Sequence, residues 1–91
     1  MALTVYKYEV PVEDDFVLWL PTGAQLLSFQ AQHEKPCLWA LVDPDARTEK
    51  RGFRLAGTGH KIDLARESLR FVGSAQLHGG ALVFHLFEVT S

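Results

Sequence analysis

Cysteine occurs once in the 91 residues, as Cys37, so no disulfide can close within the chain and a reducing compartment, the cytoplasm, is expected. No apolar run approaches the ~18 residues that a membrane-crossing helix requires. The opening MALTVYKYEV has neither the basic stretch nor the small-residue cleavage site of a secretory leader, so no membrane partner is expected. Basic excess is missing too: the net charge of −2 argues against extended nucleic acid, whose phosphates call for a basic face. No long segment holds the i, i+3, i+4, i+7 spacing of a packed helix, and no repeat, linker or low-complexity stretch divides the chain. A single domain over residues 1–91 is the reading.

What is present is short apolar stretches separated by turn residues. Tyr6, Tyr8 and Val10 alternate with Val5, Lys7 and Glu9 up to Pro11. FVLWL (16–20) is apolar on both faces and is followed by the turn PTG (21–23). AQLLSFQAQ (24–32) alternates, and CLWALVD (37–43) has the continuous apolar character of a central strand. DPDARTEKRG (43–52) has no packing residues and is expected to be an exposed, mobile loop. Phe53 and Leu55 reopen a strand, KIDLARESL reads as a helical turn or structured loop, and HGG (78–80) reverses LRFVGSAQL into the last strand, ALVFHLFEV. The pattern predicts an all-β protein, an antiparallel sandwich or partly open barrel of about seven strands with at most one short helix.

Charge is unevenly spread. From Arg47 to Lys61 five bases face Glu49 alone, a local +4 on a remainder carrying −6. Within this segment FRLAGTGHKI places two glycines, a hydroxyl and an imidazole together. Two readings stand. The glycines admit a close neighbour or a bulge, which ranks first. Alternatively, the Gly57, Thr58 and Gly59 backbone cradles an anion with Arg54, His60 and Lys61 as donors, while Arg47 or Arg51 closes over it from the mobile loop. These eight residues form the candidate ligand site, and its ligand would be a small anion.

Other chemistry finds little support. His33, His60, His78 and His85 lack the close spacing of zinc ligands, so no metal and no cofactor are implied. His85, between Phe84 and Leu86, reads as a hydrogen-bonded core histidine. Cys37 reads as a small core hydrophobe, Ser28, Ser68 and Ser74 have no nucleophile-elbow context, and the acidic run Glu13, Asp14, Asp15 reads as a solvated turn. No catalytic constellation stands out, so an enzyme ranks last. The aromatic residues belong mainly to the core, although an exposed Trp19 or tyrosine would suit base stacking or a protein interface. Strands apolar on both sides outrun the interior available to cover them, which favours a homo-oligomer.

VYKYEVP, PCLWALVDP, FRLAGTGH and GGALVFHLFE together resemble a family of small uncharacterised proteins encoded by bacteriophages and prophages, over nearly the whole chain. Its marks here include Trp39, Asp43, Gly57, Thr58, Gly59, His60, Gly80 and Phe84. The resemblance implies an accessory binding protein of the host cytoplasm. The leading expectation is sequestration of a nucleotide-like ligand, countering host defence signalling. An inhibitor of a host or defence protein comes second and a virion structural component third. It implies no catalytic residues.

Overall fold

The computed structural model describes residues 2–90 and is all-β. Its strands are β1 (Thr4–Glu9), β2 (Asp15–Pro21), β3 (Gln25–Gln32), β4 (Lys35–Val42), β5 (Thr48–Gly57), β6 (Leu69–Leu77) and β7 (Leu82–Val89). Two single-turn 3₁₀ segments, Arg66–Ser68 and His78–Gly80, are the only helical pieces among the described residues. None is long and apolar enough to cross a membrane. One sheet has the order β1-β4-β3 and the other β2-β5-β7-β6, every pairing antiparallel, with no closed barrel.

The strands read as most apolar sit between neighbours. β4 lies between β1 and β3, and β7 between β5 and β6. Leu38, Ala40 and Val42 of β4, with Phe29 of β3, join Leu20, Phe53, Leu55, Ala75 and Leu86 of the other sheet in one buried cluster. The sheets come closest at the β3/β6 corner. There a side chain on Gly73 would begin 3.1 Å from Cβ of Phe29, so anything larger than glycine would press the two strands apart by a few tenths of an ångström. At the same corner the Glu34 carboxylate of the β3–β4 turn accepts hydrogen bonds from the His78 backbone N–H at 3.0 and 3.2 Å, tying a turn of one sheet to a turn of the other. β1 and β3 are the edges of one sheet, and β2 and β6 the edges of the other. In β1 only Tyr8 is partly covered.

FVLWL is covered on one face only. Leu20 is fully buried while Val17 and Trp19 of the same strand lie open, because an edge strand of a two-sheet protein has only one face toward the core.

DPDARTEKRG is not a mobile loop. β5 begins at Thr48, and Thr48 to Arg54 pair residue by residue with Pro21 back to Asp15 of β2. Local composition is overruled because the apolar β2 supplies a hydrogen-bonding partner, and the inward-facing Arg51 finds a carboxylate. The true loop shrinks to Asp43–Arg47, closed by the Ala46 N–H on the Asp43 carbonyl at 3.1 Å.

β5 and β6 both run antiparallel to β7, hence parallel to each other. Gly57 lies beside Phe84 and Leu69 beside Val89, at opposite ends of β7. Residues 58–68 must therefore run back along the sheet, which explains why KIDLARESL forms a structured connection with one 3₁₀ turn instead of a strand.

Leu86 is fully buried, opposite Leu55. Leu86→Ala is expected to cost about 2–5 kcal/mol, read as a lowered urea midpoint at unchanged slope.

Candidate functional site

Arg51 and Arg54 are three residues apart in β5 and therefore project from opposite faces. Arg51 faces the opposing sheet. Its Nε and Nη2 donate to the Glu88 carboxylate at 2.6 and 2.9 Å, and its Nη1 donates to the Ala24 carbonyl at 2.6 Å. With side-chain exposures of 15 and 9%, this bidentate pair is nearly dry. The hydrogen bond to Glu88 raises the Arg51 pKa against the opposing effect of burial.

Arg54 points the other way, off the core. Its Nε donates to Asp15 at 2.7 Å and its Nη1 to Asp63 at 3.2 Å. The first bond staples β5 to β2, and the second holds the 58–68 connection down on the outer face. Arg54 is buried although both its partners stand largely in solvent. Asp15 and then Asp63 raise its pKa, and the Arg54 hydrogen bond holds the Asp63 carboxyl below its ordinary 3.8.

The GTGH stretch is a turn. The His60 N–H donates to the Gly57 carbonyl at 3.0 Å, and Gly59 takes the positive φ of 86° that such a turn reserves for glycine. A side chain on Gly57 would begin 2.9 Å from the His60 ring, which occupies that space. Gly59 thus has a backbone reason, while a side chain at Gly57 would meet only the ring of the exposed His60. The Thr58 N–H is engaged by the Val83 carbonyl at 3.2 Å. Thr58 Oγ1 lies 2.7 Å from His85 Nε2, and Ser74 Oγ lies 2.6 Å from His85 Nδ1.

The eight candidate residues do not converge. Gly57, Thr58, Gly59, His60 and Lys61 share one end of β5. Arg47 precedes its other end, ~30 Å away along a ten-residue strand. Arg51 belongs to the interior and Arg54 to the outer face. Arg47 gives its carbonyl to the Thr22 N–H and hydroxyl at 2.9 and 2.8 Å. Neither its exposed guanidinium nor the exposed Lys61 ammonium has a hydrogen-bond or ion-pair partner among the described residues.

A concavity does form beside Arg51. A cleft of about 390 Å³ opens between the sheets, with the Arg51–Glu88 pair, the apolar walls Ala24, Leu26 and Val72, and Arg70 and Phe71 at its rim. That size suits a small ligand. Arg70 is exposed and has no hydrogen-bond or ion-pair partner among the described residues. Two guanidiniums against one carboxylate leave the cleft with a single excess positive charge. Sequence reading missed Arg70 because a bulge between Phe71 and Gly73 turns it toward Glu88. His85–Ser74 was within reach: counting residue pairs outward from the HGG reversal, with Leu77 opposite Leu82, sets Ser74 opposite His85.

A third feature is the outer face of the four-stranded sheet. Trp19 is 60% and Phe71 61% exposed. Val17, Gly52 and Val89 line a shallow depression of about 400 Å³ beside them. Among the described residues no group of three His, Cys, Asp or Glu is placed to hold a metal ion.

Fold and site together define a small two-sheet β protein whose concavity is floored by an internal ion pair. The chain belongs to the family of the domain of unknown function DUF7352, whose model matches residues 1–91. No curated protein and no solved structure matches it.

Because the Asp63 carboxyl is depressed when folded, its bond to Arg54 contributes stability above the unfolded-state pKa and loses it as pH falls through the folded-state value. Arg54→Ala is expected to lower the urea midpoint at neutral pH, with the deficit against wild type shrinking between about pH 4 and pH 2. A deficit independent of pH would assign the role of Arg54 to packing alone.

Proposed function

We propose that this protein binds a small anionic ligand in the inter-sheet cleft, with Arg70 as the phosphate- or carboxylate-reading group. The observation that carries this reading is the unpartnered Arg70 guanidinium on a concavity that already holds the Arg51–Glu88 pair. Three of the five N–H donors of Arg51 are spent within the protein, leaving two for a ligand. Phe71 at the rim offers a ring for a planar group to stack on, which makes a nucleotide-type molecule the concrete candidate. The resemblance to phage-encoded proteins extends this reading to sequestration of a signalling nucleotide in a host cytoplasm.

Inorganic phosphate and mono-, di- and cyclic nucleotides are the probes for a thermal-shift screen. A ligand at a hundredfold excess over its Kd stabilises by about 2.7 kcal/mol, several degrees in a chain this small. Arg70→Ala is expected to abolish the shift with little change in the unliganded midpoint. Arg51→Ala is the poorer probe, because stranding Glu88 costs about 3–5 kcal/mol by itself. Absence of a shift with every phosphate compound would end this reading.

A second reading, a protein-binding module, is favoured by the open Trp19 and Phe71 face. A second copy of the chain and a host protein are its two occupants. Trp19→Asp is expected to halve the mass seen by light scattering if the face pairs copies, and to leave a monomer unchanged otherwise.

A further inference from the structure

We propose that Ser74 is a reactive serine, with His85 as its general base and Thr58 as the residue that positions His85, forming a site of slow acyl transfer to water. The three come from separate elements. Ser74 lies on β6, His85 opposite it on β7, and Thr58 in the turn that follows β5. The serine hydroxyl lies 2.6 Å from Nδ1 and the threonine hydroxyl 2.7 Å from Nε2, so one imidazole is held at both nitrogens by hydroxyl groups. This satisfies the geometric requirement for an activated nucleophile: nucleophile to base, and base to a third group that orients it. A neutral imidazole donates at one nitrogen and accepts at the other. The working tautomer donates Nε2–H to Thr58 Oγ1 and accepts the Ser74 proton at Nδ1. Ser74, a primary alcohol, is the less hindered of the two hydroxyls, and it is exposed.

In the reaction Ser74 Oγ forms a bond to the carbonyl carbon of an ester while its proton passes to His85 Nδ1. Collapse breaks the bond to the leaving alcohol, which takes that proton. Water then attacks the acyl-serine by the same route, releasing a carboxylic acid and restoring the hydroxyl. β6 is an edge strand, so alternate backbone N–H groups along it lie outside the ladder, the type of donor an oxyanion needs. Phe87, two residues beyond His85 on the same face and packed edge-on against Phe71 at 5.6 Å, offers an apolar contact to the acyl group. The substrate class is therefore a small ester with an apolar acyl chain. Thr58 is neutral, and neutralising the acid of a Ser-His-Asp triad lowers turnover about 10⁴-fold. Activated esters and phosphonates are thus within reach, and amides are not.

The test uses the intact chain and a fluorophosphonate probe, which loses fluoride to the serine, with the modified residue located by tandem mass spectrometry. Ser74 is expected to label in preference to Ser28 and Ser68, and to lose that preference in urea. His85→Gln is expected to slow labelling by about 10² or more. Thr58→Val should slow it about tenfold and Thr58→Ser restore it, a pattern that loss of a packing methyl would not produce. p-Nitrophenyl acetate should give a burst stoichiometric with protein that Ser74→Ala removes. Labelling of Ser74 no faster than in the denatured chain overturns the proposal, and this comparison decides even where His85→Gln fails to fold. Equal labelling in a folded His85→Gln variant overturns it as well.

Discussion

A strand as polar as TEKRGFRLAG can occupy the interior of a sheet only because each of its two arginines is met by carboxylate. Arg51 turns inward onto Glu88 and Arg54 outward onto Asp15 and Asp63. Without these partners β5 would carry uncompensated charge on both faces, and the desolvation penalty would exceed what its few apolar residues contribute. Met by their partners, the same arginines join four elements. β5 is bound to β7 through Glu88, to the turn before β3 through the Ala24 carbonyl, to β2 through Asp15, and to the 58–68 connection through Asp63. No buried side-chain nitrogen or oxygen among the described residues lacks a hydrogen bond.

That arrangement also decides where chemistry can occur. The two arginines inside the basic segment are neutralised from within, and an anion cannot be held by Arg51 and Arg54 together. They face opposite sides of one strand. Arg47 and Lys61 stay free among the described residues but lie at opposite ends of β5. What a concavity or a neighbouring group makes usable is Arg70 at the cleft and the histidine held by two hydroxyls at the other end of the same sheet. The cleft exists because the sheets touch at the β3/β6 corner, where Gly73 admits Phe29, and separate toward the start of β6. The apolar outer face has a related origin: a four-stranded sheet packed on a three-stranded one has only one side to bury, and Val17 and Trp19 fall on the other.

GTGH shows how a conspicuous motif can have a plain cause. Gly59 supplies a positive φ and Gly57 vacates space for an imidazole. Its one chemically suggestive member is Thr58, through the hydroxyl that reaches His85. His85 itself, expected to be a hydrogen-bonded core residue, has the hydrogen bonds but sits on the outer face, because Phe84 and Leu86 on either side take the core.

The all-β class, the seven strands and the central places of CLWALV and ALVFHLF were legible in the residues themselves, because period-two alternation is a local consequence of the pleat and continuous apolar runs fit strands flanked on both sides by neighbours. The strand character of TEKR was not, since it depends on pairing with β2, more than twenty residues away. Nor was the dispersal of the basic cluster, which follows from which acids arrive beside each arginine. Composition and alternation determined what kind of sheet this chain can form. Only the tertiary structure decided which side chains meet, because strand register and the crossover set those encounters over distances along the chain that no local pattern encodes.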